Sequence, residues 1–179
     1  LLRHAATTFP DNEIVYRDLN GSWNRTNYRE EFARVSKMAG ALSRLGVGAG
    51  DMVGVLDWNS RRHLELYFAV PGLAATMLQL NLRLASEDLG YVIEHSQASW
   101  VCVDESLLPV AEAHRDAPGV KGWIVLSDKP SDQIETTLPN VVFLEELMKD
   151  EPEEYPFEWV EEKTAAYAGY TTGTTGRPK

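Results

Sequence analysis

The residues best suited to chemistry lie together at the carboxyl end of the sequence, in the stretch YTTGTTGRPK at positions 170–179. Glycine lets backbone N–H groups approach phosphate oxygens closely, and the threonine hydroxyls add hydrogen-bond donors or metal contacts. Lys179 adds a mobile positive charge, and Pro178 restricts the backbone next to it. A Gly/Thr-rich surface turn is the alternative, but the strand predicted before the stretch and the Arg-Pro-Lys that ends it favour a phosphate-binding loop.

The phosphate loop of kinases and GTPases is the nearest competing pattern, and the spacing excludes it. That loop requires Gly-x-x-x-x-Gly-Lys followed by Ser or Thr. Here Arg177 follows Gly176, and Pro178 stands directly before Lys179. The sequence therefore predicts a phosphate-binding loop of another class.

The loop must be positioned by the strand predicted over 165–170 and by the elements before it. Asn20-Gly21 between two β-prone runs predicts a hairpin, and short apolar runs then alternate with helical periodicity. The predicted strands cover residues 13–17, 22–26, 52–56, 76–80, 100–103, 123–126 and 165–170.

Capping residues mark the predicted helices. Asn27 is a candidate N-cap with Glu30 as its capping partner, and Gly46 ends that helix. A second helix, capped by Asn59 or Ser60, is expected to kink or end at the Pro-Gly pair that follows it. Further helices are predicted to begin at residues 86 and 107.

This alternation predicts an α/β fold with a mostly parallel sheet flanked by helices. Right-handed crossovers in such folds place ligand loops at the carboxyl ends of the strands. Residues 1–179 are interpreted as one partial domain, a hairpin and βα repeats that end in the loop 170–179.

Composition narrows the class of partner. The content of 44% hydrophobic and 25% charged residues is typical of a soluble globular domain. The net charge of −10 argues against a nucleic-acid partner. Twelve acids and three bases between residues 128 and 163 concentrate the charge in one stretch, which is interpreted as solvated connecting surface.

Cysteine and histidine usage argues for a reducing compartment and against histidine as a metal ligand. Cys102 lies in an apolar run without a partner, which predicts a buried thiol and a cytoplasmic protein. His4, His63, His95 and His114 are scattered without metal-ligand spacing.

Neither a transmembrane segment nor a signal peptide is expected. The longest uncharged run, 66–82, contains Pro71 and Gly72 and is shorter than the ~20 apolar residues of a membrane span. The sequence starts at Leu1 rather than methionine, so the native amino terminus is expected to be missing.

The loop 170–179 resembles the phosphate-binding signature of the adenylate-forming superfamily, which includes acyl-coenzyme A synthetases, firefly luciferases and peptide-synthetase adenylation domains. The resemblance extends over nearly the whole chain in the family's order. Two segments are similar to the family's first conserved block, namely 26–30 (TNYRE) and 45–53 (LGVGAGDMV). Three segments resemble the medium- and long-chain fatty-acyl synthetases in particular, namely 63–72 (HLELYFAVPG), 81–84 (NLRL) and 91–96 (YVIEHS).

The resemblance implies a two-step reaction on a small-molecule carboxylic acid. The carboxylate attacks the α-phosphorus of ATP held with Mg²⁺, which gives acyl-AMP and pyrophosphate, and the thiol of coenzyme A then takes the acyl group. Lys179 is the implied catalytic residue, and Thr171 is the implied contact to Mg²⁺. The implied phosphate-binding residues are Thr171, Thr172, Gly173, Thr174, Thr175, Gly176 and Lys179.

The same resemblance places much of the machinery beyond Lys179, including the adenine contacts, most of the acyl pocket and a small domain with its own catalytic lysine. The chain is therefore expected to be inactive alone. Three alternatives stay open: a stand-alone nucleotide-binding module, a dimerisation piece that forms a homodimer, and a ligase for aryl, short thio or branched acids. A native gene product about three times as long would favour the ligase.

Overall fold

The computed structural model describes residues 1–18, 20–171 and 176–179. Within these ranges the order of helices and strands follows the predicted alternation. The helices are α1 (Leu2–Thr8), α2 (Tyr28–Arg44), α3 (Arg61–Gly72), α4 (Ser86–Ser96), α5 (Leu108–Glu112) and α6 (Leu144–Met148). The strands are β1 (Glu13–Arg17), β2 (Trp23–Asn27), β3 (Met52–Leu56), β4 (Thr76–Gln79), β5 (Trp100–Asp104), β6 (Gly122–Leu126), β7 (Val141–Phe143) and β8 (Tyr167–Gly169).

Six of these strands form one sheet in the order β7-β6-β5-β3-β4-β8, and every neighbouring pair is parallel. β1 and β2 form a separate antiparallel hairpin. The predicted α/β class and the mostly parallel sheet are confirmed. All six carboxyl ends meet at one edge, which is the edge where ligands bind in folds of this kind.

Both faces of the sheet are buried, because alternate residues of each strand enter different cores. Cys102 packs with α1, α2, α3 and α6 on one face. Its neighbours Val101 and Val103 pack with α4 and α5 on the other face. Continuous apolar strands are what two covered faces require. The thiol of Cys102 is fully buried as predicted, and burial raises its pKa.

The two capping predictions agree with the structure in part. The Asn27 side chain accepts a hydrogen bond from the Glu30 backbone N–H at 2.9 Å. The Glu30 carboxylate does not complete the reciprocal box, because it accepts instead from the Thr26 hydroxyl at 3.0 Å. Ser60 rather than Asn59 caps α3, and that helix continues through Pro71 in its last turn.

The acidic stretch of residues 128–163 is not only connecting surface, and that interpretation is corrected. It contains β7 and α6, and Leu144 and Met148 of α6 are buried in the core. Glu145 accepts hydrogen bonds from Arg34 at 2.8 Å and Arg62 at 2.9 Å. These arginines hold the pKa of Glu145 below its usual value, although burial opposes them. The helix α1 is also additional to the prediction.

Among the described residues, no helix is long and apolar enough to cross a membrane. The same part of the chain holds no group of three or more His, Cys, Asp or Glu side chains that could bind a metal ion.

Candidate functional site

The candidate phosphate loop leaves the sheet at its carboxyl edge. Among the described strands, β8 lies at the end of the sheet beside its one partner β4, with Tyr167 opposite Met77 and Gly169 opposite Gln79. The helix that follows β3 covers one face of the sheet, whereas the helix that follows β4 covers the other. The loop therefore emerges beside the point where the crossovers change face, which is the usual place for a ligand in an open parallel sheet.

The two described ends of the loop are joined to each other. The Thr171 N–H donates to the Lys179 carbonyl oxygen at 2.9 Å, and the Lys179 N–H donates to the Thr171 carbonyl oxygen at 3.1 Å. The Thr171 hydroxyl also lies 3.4 Å from the Lys179 carbonyl oxygen. The structure thus brings together Thr171 and Lys179 of the predicted set. Four predicted residues lie outside the described ones, namely Thr172, Gly173, Thr174 and Thr175.

The returning end of the loop exposes its polar groups and buries its proline. Gly176 has φ +120°, which residues with a Cβ rarely adopt, so this position favours glycine. Pro178 is buried, whereas Arg177 and Lys179 on either side of it are exposed. Among the described residues, no carboxylate lies within ion-pair distance of Lys179.

α4 contacts both ends of the loop. The Tyr170 hydroxyl lies 2.6 Å from His95 Nδ1, and the two rings meet edge to face with centroids 5.8 Å apart. The Arg177 guanidinium lies over the Tyr91 ring, 5.1 Å from its centroid. Burial and the neighbouring Tyr91 raise the pKa of Tyr170, so its hydroxyl keeps its proton at neutral pH. An unprotonated Nδ1 of the His95 ring can accept a hydrogen bond from this hydroxyl.

A second set of polar contacts holds β8 from the opposite face of the sheet. The Tyr167 hydroxyl donates to the Tyr67 carbonyl oxygen of α3 at 2.6 Å. Gln79 Nε2 at the end of β4 donates to the Tyr67 hydroxyl at 2.6 Å and lies 3.1 Å from His63 Nε2. Burial and the neighbouring Tyr67 raise the pKa of Tyr167, which also keeps this donor protonated.

The contacts continue to the carboxyl end of β3. His63 Nδ1 lies 3.6 Å from Asp57 Oδ2, which accepts from the Ser60 hydroxyl at 2.6 Å. His63 Nδ1 and Asp57 Oδ1 are buried, and neither has a hydrogen-bond partner among the described residues. Sequence reasoning predicted Ser60 only as a candidate helix cap and gave Asp57 and Gln79 no role. Gln79 lies 16 residues from His63 and meets it only when the sheet forms.

A magnesium ion fits this site only as part of a metal–nucleotide complex. Mg²⁺ takes six oxygen ligands and usually keeps several waters, with one or two protein ligands and substrate phosphates completing the shell. The described residues offer the exposed Thr171 hydroxyl but no carboxylate cluster. Thr171 would hold such an ion through one oxygen, and the ion would neutralise charge on the phosphates.

Comparison with known proteins matches nearly the whole chain to one protein family. The family model for the AMP-binding enzymes matches residues 2–179. Three curated relatives match along 99–100% of the chain. They are a 3-methylmercaptopropionyl-CoA ligase of Ruegeria lacuscaerulensis (37% identical), a long-chain-fatty-acid–CoA ligase of Thermus thermophilus (36%) and a medium-chain-fatty-acid–CoA ligase of Ectopseudomonas oleovorans (33%). The chain spans 31–33% of their length, about a third.

Solved structures agree with the fold. The anthranilate CoA ligase AuaEII matches 99% of the chain with a TM-score of 0.82 at 19% identity, and the chain covers 33% of that protein. The N-terminal domain of FACL13 from Mycobacterium tuberculosis matches 99% of the chain with a TM-score of 0.82 at 27% identity, and the chain covers 42% of it. The architecture is therefore that of the first part of these larger folds.

Proposed function

The chain belongs to the AMP-binding enzyme family, as its loop and flanking segments suggested, and from this premise we propose that it is part of an ATP-dependent acid–thiol ligase. The reaction converts a carboxylic acid, ATP and coenzyme A into acyl-CoA, AMP and pyrophosphate through an acyl-adenylate. Within that protein, residues 1–179 form part of the large amino-terminal domain. The family match over residues 2–179 supports this assignment.

The observation that carries the proposal is the position of Lys179. Its side chain is exposed at the carboxyl edge of the sheet, beside Gly176 and joined through its backbone to Thr171. A cation and a threonine hydroxyl at this edge, at the two ends of a loop rich in glycine and threonine, suit the β- and γ-phosphates of a nucleotide.

The proposed role of these residues is electrostatic. In the first step the acid's carboxylate oxygen bonds to the α-phosphorus while the bond to the bridging oxygen breaks, so pyrophosphate leaves with added negative charge. Lys179 and the loop's N–H and hydroxyl groups would orient the phosphates and stabilise that charge. In the second step the coenzyme A sulfur replaces AMP at the acyl carbon, and pyrophosphate is no longer present.

For the substrate we propose a medium- or long-chain fatty acid. Two of the relatives above carry names of that class, and segments 63–72 and 81–84 resemble the same subgroup. A short thio acid is the second candidate, because the Ruegeria lacuscaerulensis relative is a 3-methylmercaptopropionyl-CoA ligase with 37% identity. Most of an acyl pocket would come from the further length that the relatives have.

A panel of acids tests the proposal in the full-length protein that carries this chain. Acid-dependent release of AMP would be measured with ATP and coenzyme A for octanoate, palmitate, 3-methylmercaptopropionate, acetate and benzoate. A preference for octanoate or palmitate is expected. A preference for 3-methylmercaptopropionate would favour the second candidate, and a preference for acetate or benzoate would contradict both. Nucleotide binding without turnover of any acid would favour a stand-alone binding module.

A further inference from the structure

The α4 helix contacts the candidate phosphate loop through two side chains one helical turn apart. Tyr91 and His95 stand in an i, i+4 relation, so they share one face of α4. Their ring centroids lie 5.1 Å apart with 31° between the ring planes, so the two rings form one continuous aromatic surface. Leu89, Val92 and Ile93 on the inner face are buried against the sheet, and this anchors the helix.

Each of the two side chains holds a different end of the loop. His95 meets Tyr170 where the chain leaves β8, and Tyr91 meets Arg177 where the chain returns. Between these contacts, the paired backbones of Thr171 and Lys179 close the loop. Lys179, which we assign to the phosphates, lies two residues after Arg177. Its backbone is hydrogen-bonded to Thr171, the residue that follows Tyr170.

From this arrangement we propose that His95 and Tyr91 are positioning residues, which fix the ends of the loop so that Lys179 meets the phosphates of ATP. The proposal rests on the ligase function proposed above. If the ends of the loop are fixed before ATP binds, less conformational entropy is lost on binding, and the affinity for ATP is higher. Neither side chain need touch the nucleotide, and both act through Tyr170 and Arg177.

The ATP dependence of the full-length enzyme tests the His95 contact. We expect His95→Ala to raise the KM for ATP about fivefold, the change expected for loss of one hydrogen bond, and to leave the KM for the acid unchanged. His95→Asn should restore most of the affinity, since its side-chain oxygen can occupy the place of Nδ1. His114→Ala is the matched control, because His114 contacts Ser86 at the other end of α4, away from the loop.

Double substitution separates a shared contact from two independent ones. Tyr170→Phe should raise the KM for ATP as much as His95→Ala does, and the two together should do no more than either alone. Tyr91→Leu should raise it about twofold by removing the ring under Arg177, whereas Tyr91→Phe keeps the ring and should not. Additive effects of Tyr170→Phe and His95→Ala would overturn the proposal, as would an equal change in the KM for the acid.

Hydrogen exchange gives a readout that does not depend on ligase activity. In the full-length protein, peptides that contain the Thr171 and Lys179 amides should exchange faster in His95→Ala than in the wild type or in His114→Ala. Unchanged exchange would overturn the positioning role. If the wild type catalyses no acid-dependent ATP–pyrophosphate exchange, the proposed function fails, and hydrogen exchange still decides whether α4 holds the loop.

Discussion

A buried carboxyl group away from the candidate site gives the sharpest prediction of stability. Glu31 on α2 and Glu65 on α3 both have fully buried side chains. Arg61 lies between them, at 3.0 Å from Glu31 and 3.1 Å from Glu65. Glu65 also binds Arg34, whereas Glu31 Oε1 has no hydrogen-bond partner among the described residues. Burial and then the charge of Glu65 raise the pKa of Glu31 from 4.5 to about 7.

The raised pKa sets the sign and the size of the pH effect. Because folded Glu31 binds its proton more tightly than the unfolded chain does, its contribution favours the folded state fully below about pH 4.5. That contribution is lost as the pH rises through about 7. A tenfold change in proton affinity corresponds to about 1.4 kcal/mol, so the whole loss is roughly 3 kcal/mol and most of it falls between about pH 5 and pH 8.

Glu31→Gln removes this titration and keeps an oxygen that accepts from Arg61. We expect the free energy of unfolding of the variant, relative to the wild type, to rise by about 2 kcal/mol between about pH 5 and pH 8. Urea unfolding at several pH values would measure it, with the fluorescence of the fully buried Trp123 as the signal. Glu94→Gln is the control, because Glu94 is an exposed glutamate on α4.

A difference between Glu31→Gln and the wild type that does not change from pH 5 to pH 8 would refute the reasoning. So would a difference that falls with pH, since this would mean that Arg61 and Arg34 keep Glu31 ionised in the folded state. Direct titration of the Glu31 carboxyl carbon by NMR distinguishes the two results.

Three further predictions concern the site and the core. Lys179→Ala in the full-length protein should slow ATP–pyrophosphate exchange at least tenfold and leave thioester formation from supplied acyl-AMP nearly unchanged. Lys163→Ala is the control, because Lys163 is also exposed. Equal losses in both assays would contradict the role assigned to Lys179. The 179-residue chain alone should bind Mg-ATP no more tightly than about 1 mM by calorimetry, and micromolar binding would favour a stand-alone module. Gly122→Ala should destabilise the fold by about 1–3 kcal/mol in urea, because its Cβ would lie 2.5 Å from the Trp100 ring and 2.6 Å from the Asn140 carbonyl oxygen, whereas Gly48→Ala meets nothing within 4 Å.

The main elements could be predicted because their signals are local. The strand Met52–Leu56 and the cap at Asn27 need only a short run of sequence to identify, and both agree with the structure. β7 and α6 were not predicted, because a three-residue strand and a five-residue helix are too short to show a periodic pattern of apolar residues. Contacts distant in sequence also hold α6, including that of Arg34 with Glu145 across 111 residues.

The candidate site, like the fold, could be predicted only where the sequence signal is local. The glycine and threonine pattern with Lys179 indicates phosphate chemistry from the sequence alone. The contact of His95 with Tyr170 joins residues 75 apart, and the resemblance of segment 91–96 to the family does not indicate that contact. An aromatic pair at i, i+4 on an amphipathic helix was the available signal, and such a pair is more often explained by packing.

The strand that carries the loop is held by side chains as well as by its own backbone. β8 has three residues and lies at the edge of the sheet, where β4 is its one partner in the part of the chain that the structure describes, so few ladder hydrogen bonds fix it. Two tyrosine hydroxyls add hydrogen bonds at this strand and directly after it. Tyr167 binds α3 on one face of the sheet and Tyr170 binds α4 on the other, each at 2.6 Å. The two helices pack in separate cores, so side chains from both faces of the sheet hold the segment that leads into Thr171, and a substitution at either tyrosine is expected to reach the candidate loop.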